Sequence, residues 1–154
     1  HPRHLEKVQA YFAIAGQEGA TMATGGPSWE GGGSGNYVRP TLFTNATPSM
    51  RIANEEIFGP VLAVIAYDDE DDAVRIANDS DYGLSGSVWS ETDERALAVA
   101  RRIRAGTITV NGGNFYGADA PFGGYKQSGL GREMGREGFE EYLETKTIAI
   151  AIGE

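Results

Sequence analysis

Cysteine is absent from this sequence and histidine is nearly so, which limits the chemistry that these residues can perform. Without cysteine, the 154 residues hold no disulfide, no thiolate metal site and no cysteine nucleophile. The two histidines, His1 and His4, lie at the N-terminus in a segment that is expected to fray. A catalytic triad built on histidine, or a metal site, is therefore not expected here.

Positively charged residues and long apolar runs are also scarce. There are 13 Lys and Arg against 22 Asp and Glu, and the resulting net charge of -9 disfavours nucleic acid as a partner. No apolar run is long enough to cross a bilayer and no signal-peptide pattern is evident, so we expect a cytoplasmic protein with no membrane partner. The 40% hydrophobic content suits one ordinary core. Because the chain starts with His rather than Met, we expect further residues upstream.

The N-terminal segment combines one helix with two short strands. Apolar residues recur at helical spacing over residues 5–15, and Gly16 is placed to stop that helix. The strands "ATMAT" at 20–24 and "YVRPTLF" at 37–43 flank a Gly- and Ser-rich run at 25–36. No helix follows that run to supply a dipole, so we interpret it as a flexible connection rather than a phosphate cradle.

After Pro60, strands and helices alternate regularly. The stretch "VLAVIAY" at 61–67 is a near-continuous apolar strand of the kind that is buried on both faces of a parallel sheet. A helix capped by Asp68 or Asp69 follows, and then the strand "LSGSVWS" at 84–90. The next helix begins with a capping box of Ser90 and Asp93 and is expected to end at Gly106. The strand "TITVN" at 107–111 comes after it. This alternation predicts an α/β fold with parallel-sheet crossover units.

The rest of the chain contains a loop, a helix and a terminal strand. Residues 111–124 are too rich in Gly and Pro for regular structure and are expected to form a long loop at the carboxyl end of a strand, where open α/β sheets bind ligands. Residues 130–144 are interpreted as a Gly-interrupted helix. In "KTIAIAI" at 146–152, isoleucine alternates with smaller residues, which predicts a strand that either pairs within its own domain or joins the sheet of a neighbouring subunit.

Three glycines in "SGLGREMGREGF" have the spacing of a dinucleotide-binding turn, at positions 129, 131 and 135. Such a turn needs a buried strand that leads directly into the first glycine. The preceding residues are "GGYKQS", which is not a buried strand. The glycines are therefore predicted to allow close backbone packing and a break in the helix, rather than to bind phosphate.

A more promising site lies in "NEEIFGPVLAVI", where two carboxylates and an aromatic ring precede an apolar strand. Glu56 is able to accept hydrogen bonds from the vicinal hydroxyls of a ribose, and Phe58 is able to pack on a flat heterocycle. The spacing alone favours the ordinary interpretation, in which Glu56 is a solvated charge and Phe58 is a core residue. Both interpretations stay open at this point.

Several specific stretches occur together in this chain: "EEIFGPVLAVIAY", "ANDSDYGLSGSVWS", "GTITVN" and "PFGGYKQSGLGREMGREGFEEYLETKT". In this order they resemble the C-terminal part of the aldehyde dehydrogenase superfamily, and the match is collinear from Leu5 to the end. The resemblance implies that residues 1–144 form the later part of the family's catalytic domain. It implies that residues 145–154 form the oligomerisation strand or tail, with which members assemble dimers and tetramers.

The resemblance also implies an activity and a cofactor site. Family members oxidise an aldehyde to a carboxylic acid: a cysteine thiolate forms a thiohemiacetal, hydride passes to NAD or NADP, and a glutamate-activated water hydrolyses the thioester. The position of Glu56 holds the nicotinamide ribose hydroxyls in the family, and the position of Phe58 packs near the nicotinamide ring. Lys7 falls where some members place another ribose contact, and His4 stands where several have Gln.

A substrate tunnel is implied in the same way. The aromatic residues Phe115, Tyr116 and Phe122 match the wall of the aldehyde tunnel, and Asn114 matches a tunnel residue of varied identity. The nucleophilic cysteine, the general-base glutamate and the cofactor domain belong to the family's earlier part and have no counterpart here. This chain alone is therefore expected to be inactive. Two alternatives are a non-catalytic assembly or ligand-binding module on the same scaffold, and a related reductase of activated acyl groups.

Overall fold

The computed structural model of the chain describes residues 1–29, 31, 33, 35–113 and 117–153. These residues form two compact units, divided between Asp79 and Ser80. Both units contain helices and strands, as the predicted α/β class requires. None of the described helices has the length and apolar character needed to cross a membrane.

The described residues of the first unit form six helices and strands. They are α1 (Pro2–Gln17), β1 (Thr21–Gly26), β2 (Arg39–Thr44), α2 (Arg51–Asn54), β3 (Val61–Ala63) and α3 (Glu70–Asn78). The three strands form one sheet in the order β1-β2-β3, in which β1 pairs with β2 antiparallel and β2 pairs with β3 in parallel. Gly16, which we expected to stop α1, lies inside that helix, and Gly19 takes the left-handed conformation beyond its end.

The core of this unit lies between α1, β2 and the segment around α2. Its buried members are Val8, Tyr11, Ala15, Phe43, Ala46, Met50, Ile52 and Ile57. Val61, Ala63 and Ile65 pack against this cluster, whereas Leu62 and Val64 are exposed. The prediction that strand 61–67 is buried on both faces is therefore wrong for this chain. Alternate residues of this segment reach the core, and the residues between them face away from it.

The acidic start of α3 agrees with the prediction in detail. Asp69 is the N-cap, and its carboxylate accepts a hydrogen bond from the Asp72 N–H at 2.8 Å. Glu70, Asp71 and Asp72 occupy the first turn, where carboxylates stabilise the positive end of the helix dipole. These are interactions between near neighbours in the sequence, which explains why the pattern alone was sufficient to locate them.

Six helices and strands are also formed by the part of the second unit that the structure describes. They are β4 (Tyr82–Gly83), β5 (Ser85–Val88), α4 (Asp93–Ala100), β6 (Thr107–Val110), β7 (Tyr125–Lys126) and α5 (Gly135–Glu140). The strands β5 and β6 pair in parallel across α4, which is one predicted crossover unit, and β4 pairs with β7 antiparallel. The strand predicted at 61–67 is found only over Val61–Ala63, where it pairs with β2.

The start of α4 differs from the predicted capping box. Thr92 is the N-cap, and its hydroxyl accepts from the Arg95 N–H. The side chain of Asn111, at the end of β6, accepts from the Ser90 N–H at 2.8 Å and donates to Asp93 at 2.7 Å. Ser90 and Asp93 are therefore tied to the end of β6 instead of to each other.

The C-terminal part of the chain contains less regular structure than predicted. Residues 130–144 contain only the six-residue α5, and the described residues of the tail beyond it carry no strand. Ile148, Ile150 and Ile152 are 79%, 86% and 98% exposed. A strand requires a hydrogen-bonding partner, and the described part of this chain provides none for the tail. Pairing within its own domain is thus not observed, and pairing with a neighbouring subunit stays a prediction.

Two of the three glycines in the motif around α5 have the packing role that the context predicts: a Cβ atom would meet the Glu141 carboxylate at Gly131 and Pro121 at Gly135, whereas Gly129 faces open space. Gly129, Gly131 and Gly135 all adopt positive φ. Arg132 directly follows Gly131, and its backbone N–H donates to the Glu141 carboxylate at 2.6 Å. A carboxylate of the chain itself therefore occupies this turn, as expected for local packing.

Candidate functional site

The candidate cofactor residues lie in the loop of residues 55–60, between α2 and β3. Within this loop Ile57 is buried in the core, whereas Glu56 and Phe58 on either side of it are exposed. The ring of Phe58 is 76% exposed. Burial of the central residue thus anchors the loop while the two candidate side chains face solvent.

Two side chains of α1 bind the backbone of this loop. Lys7 Nζ donates to the Glu56 carbonyl oxygen at 2.9 Å, and His4 Nε2 donates to the Phe58 carbonyl oxygen at 2.6 Å. Residues spaced by three positions lie on the same face of a helix, so one face of α1 supplies both donors. The structure therefore brings together His4, Lys7, Glu56 and Phe58, which the sequence analysis had singled out from separate stretches.

The Glu56 carboxylate has no hydrogen-bonding or ionic partner among the described residues. Lys7 of α1 is bound to the Glu56 carbonyl rather than to its carboxylate. Both oxygens of the carboxylate are thus free to accept hydrogen bonds from a ligand. Two vicinal hydroxyls are donors of the required spacing.

Phe58 adopts a conformation that is costly for a residue other than glycine. Its φ is +58°, in the left-handed region, and its ring gains no burial in exchange. Strain of this kind costs on the order of 1–3 kcal/mol and is concentrated at binding sites. The edge of the His4 ring faces the Phe58 ring, with centroids 6.3 Å apart. An exposed aromatic face held in this way is suited to packing against a flat ring.

Gly59 lets the loop lie directly against α1. A Cβ atom at this position would come within 2.8 Å and 3.0 Å of the two methyl groups of Val8, which is 2% exposed. A side chain here would push the loop away from the helix. The contact explains why glycine follows Phe58.

The sequence analysis missed a side-chain network in the same region, which we call the Glu55 network: Tyr11, Arg51 and Glu55. The Tyr11 hydroxyl donates to Glu55 Oε2 at 2.7 Å, while Arg51 donates to both carboxylate oxygens at 2.7 and 2.9 Å. The Arg51 guanidinium also lies 5.7 Å from the centroid of the Tyr11 ring. The spacing of Arg51 and Glu55, four residues apart, was the one available signal, and it did not reveal the part played by Tyr11.

These contacts shift the protonation of the network. The hydrogen bonds from Arg51, and then from Tyr11, lower the pKa of Glu55 from 4.5 to about 2. The hydrogen bond to Glu55 raises the pKa of Tyr11 in turn. Glu55 is therefore ionised, and Tyr11 neutral, throughout the neutral range.

We expect the Glu55 network to make stability depend on pH in acid. Because the pKa of Glu55 is lower in the folded chain than in the unfolded one, its contribution is complete above pH 4.5 and disappears as the pH falls towards about 2. The Glu55 side chain is 41% exposed, so solvent and salt screen this effect. Urea unfolding of the wild type and Glu55→Gln across this range should show a difference that shrinks with acidification. A difference independent of pH would contradict the expectation.

The remaining candidate residues belong to the second unit. Phe122 is half-buried, and its backbone exchanges two hydrogen bonds of 2.7 Å with Glu133. It helps to line a cavity of about 310 Å³ whose other lining residues are Gly106, Thr107, Ile108, Thr109, Gly117, Ala120, Pro121 and Met134. Asn114, Phe115 and Tyr116 lie outside the described residues. The tunnel assignment of all four side chains stays a prediction.

The chain matches the model of the aldehyde dehydrogenase family over residues 1–148. It belongs to the aldehyde dehydrogenase family. Among curated proteins, it is 46% identical to betaine aldehyde dehydrogenase of Bacillus subtilis over 94% of this chain and 30% of that protein. The chain thus spans about a third or less of the length of such relatives.

The solved structures that match this chain include aldehyde dehydrogenases as well. A crystal structure of Mycobacterium tuberculosis aldehyde dehydrogenase with NAD+ matches 100% of this chain and 32% of its own, with 43% identity and a TM-score of 0.93. A structure of a Pseudomonas syringae aldehyde dehydrogenase C mutant with NAD+ and octanal covers 94% of this chain and 30% of its own, with 52% identity and a TM-score of 0.89. The fold predicted from the motifs is thereby confirmed.

Proposed function

We propose that this chain works within a full-length NAD(P)-dependent aldehyde dehydrogenase, in which residues 1–144 form the later part of the catalytic domain. The observation that carries the proposal is the presentation of Glu56 and Phe58. Lys7 and His4 bind the loop backbone, and the carboxylate and the ring are left exposed. The NAD+-bound structures of similar proteins support the choice of cofactor.

The residues of the loop fit the nicotinamide end of the cofactor. The Glu56 carboxylate accepts hydrogen bonds from the two ribose hydroxyls, the Phe58 ring packs near the nicotinamide, and the Lys7 ammonium has further hydrogens to donate to the ribose. When bound, the cofactor accepts hydride from the substrate. The chain's contribution is to hold and orient the reacting ring, which raises the rate by reducing the entropy lost in reaching the transition state.

The reaction we propose is the oxidation of an aldehyde to a carboxylic acid. It requires a cysteine nucleophile, and these 154 residues contain no cysteine. The nucleophile and the general-base glutamate are therefore assigned to the part of the full-length protein that these residues do not include. The isolated chain is accordingly proposed to be inactive.

A cofactor-reduction assay tests this function. The full-length protein should form NADH or NADPH with at least one member of a panel of short, long and aromatic aldehydes, and replacing its nucleophilic cysteine with serine should abolish the reaction. The isolated chain serves as the negative control. Failure to reduce either cofactor with any aldehyde, or a full-length sequence without such a cysteine, would overturn the proposal.

We propose that Phe122, with Asn114, Phe115 and Tyr116, forms part of the aldehyde tunnel. Phe122→Ala is expected to change the ratio of kcat/KM values between bulky and short aldehydes by about tenfold, since an altered apolar wall changes discrimination by about 1–3 kcal/mol. Phe139→Ala is the matched control, because Phe139 is 63% exposed and lies in α5. Equal ranking of the aldehydes in both variants would exclude the tunnel role of Phe122.

We propose that residues 145–154 mediate assembly in the cytoplasm, into a homodimer or homotetramer. The exposed, alternating isoleucines of the 146–152 segment suit pairing with the sheet of a neighbouring subunit. Deleting 145–154 from the full-length protein should give a smaller species in analytical ultracentrifugation. Ile150→Pro, which removes one backbone donor, should weaken assembly in the same direction. An unchanged oligomer in both variants would contradict this assignment.

A further inference from the structure

The Glu55 network has no part in the proposed chemistry, yet it lies immediately before the candidate ribose-binding residue. Glu55 receives three hydrogen bonds from two elements: one from Tyr11 on α1, and two from Arg51 on α2. An exposed ion pair at this spacing on a helix contributes little by itself. The additional hydrogen bond from a tyrosine that is only 7% exposed distinguishes this pair from an ordinary surface contact.

The network fixes the backbone on one side of Glu56, and other contacts fix it on the opposite side. The Glu55 N–H donates to the Arg51 carbonyl at 2.8 Å, so both the backbone and the side chain of Glu55 are bound to α2. After Glu56, the side chain of Ile57 is buried in the core. The carbonyl of Glu56 itself is held by Lys7. The Glu56 carboxylate, by contrast, has no hydrogen-bonding or ionic partner among the described residues.

We propose that Tyr11, Arg51 and Glu55 are positioning residues of the cofactor site, which hold Glu56 in place so that its carboxylate meets the nicotinamide ribose in an already ordered position. This inference rests on the proposed function, because it requires Glu56 to bind the ribose. The advantage of such an arrangement is that the loop loses little entropy when the cofactor binds.

Charge explains why the Glu55 network serves this role better than a direct contact between a cation and the Glu56 carboxylate would. Arg51 is engaged by Glu55 through both carboxylate oxygens, so its guanidinium is neutralised by the neighbouring acid and not by Glu56. Lys7 is engaged by a backbone carbonyl. Two cations therefore order the loop while leaving the Glu56 carboxylate free for hydroxyl donors.

The test compares variants of the full-length protein in two measurements, one of which needs no cofactor. Hydrogen exchange of the cofactor-free protein should be faster across residues 55–60 in Tyr11→Phe and in Glu55→Gln than in the wild type. Calorimetric titration should show NAD+ binding weakened by about two- to tenfold in each variant, as expected when one or a few hydrogen bonds are lost. Tyr11→Phe is the milder change and keeps the ring in the core.

A double variant separates positioning from general destabilisation. If Glu55 acts through Glu56, then Glu55→Gln combined with Glu56→Gln should bind NAD+ no more weakly than Glu56→Gln alone. A purely structural role would instead give additive losses. Glu140→Gln is the control, because it removes another carboxylate from an Arg–Glu pair four residues apart, that of Arg136 and Glu140. It should alter neither exchange in the loop nor affinity for NAD+.

The outcomes distinguish failure of the inference from failure of the proposed function. Weaker NAD+ binding in Glu56→Gln, together with wild-type binding and wild-type loop exchange in Tyr11→Phe and Glu55→Gln, would overturn the positioning role and leave the function intact. Additive losses in the double variant would also overturn it. Wild-type NAD+ binding in Glu56→Gln itself would overturn the assignment of the ribose contact, whatever the network does.

Discussion

Gly106→Ala is expected to destabilise the second unit by about 3 kcal/mol or more, the largest effect on stability that we predict. A Cβ atom at residue 106 would lie 1.7 Å from the carbonyl oxygen of Gly123 and 2.8 Å from its carbonyl carbon. Both atoms belong to the backbone, so no rotation of a side chain relieves the overlap. The φ of Gly106 lies outside the left-handed region, and the expected loss is therefore steric.

Gly86→Ala is the matched control in the same unit. Its Cβ would approach only the terminal Cδ1 atom of Ile108, at 3.1 Å, and the end of that side chain is able to move. We expect a change within about 1 kcal/mol. Urea unfolding followed by circular dichroism compares the two variants. Equal destabilisation by both substitutions would show that close approach at residue 106 does not limit the packing of this unit.

Glu56→Gln is expected to lower the rate of hydride transfer and the affinity for NAD+ by about 10- to 100-fold in the full-length protein. A hydrogen bond to a charged acceptor contributes about 1.5–3 kcal/mol, and an amide offers one neutral acceptor in place of two charged oxygens. A less well-held ribose also leaves the nicotinamide misplaced. Stopped-flow measurement of NADH formation gives the rate, and calorimetry gives the affinity.

The folded structure should change little in this variant, because the Glu56 carboxylate has no partner among the described residues. Glu91→Gln removes the same charge from another exposed position and should leave both constants unchanged. If Glu56→Gln matched this control in rate and affinity, Glu56 would not contact the ribose.

The sequence predicted those parts of the structure that depend on near neighbours. The cap of α3 at Asp69 is an example, because both hydrogen-bonding groups lie within one turn. The predicted capping box of Ser90 and Asp93 was wrong because Asn111, brought close by the parallel pairing of β5 and β6, binds both residues. A local pattern does not reveal a competing partner from a distant strand.

Gly106 shows the same limit of prediction from a local pattern. We interpreted Gly106 as the end of α4, but that helix ends at Ala100. The reason for glycine at 106 is the backbone of Gly123, which only the folded unit brings near. Similarly, the tail carries the alternation of a strand, yet the described part of the chain provides no neighbour with which it pairs.

The candidate site was predictable to the extent that specific motifs carry it. Glu56 and Phe58 were identified from "EEIFGP" and the family resemblance, and the structure adds the contacts of His4 and Lys7 with their backbone. The Glu55 network was not predictable, because Tyr11 lies 44 positions away from Glu55 in the sequence. Its role depends on the packing of α1 against α2.

Discrimination between NAD+ and an analogue that lacks a hydroxyl on the nicotinamide ribose tests the role of Glu56 most directly. The wild-type full-length protein should bind NAD+ at least about tenfold more tightly than this deoxy analogue, because one charge-assisted hydrogen bond is lost. Glu56→Gln should bind the two ligands with much more similar affinities. Equal discrimination by the wild type and Glu56→Gln would contradict the assignment of Glu56 as the residue that holds the ribose.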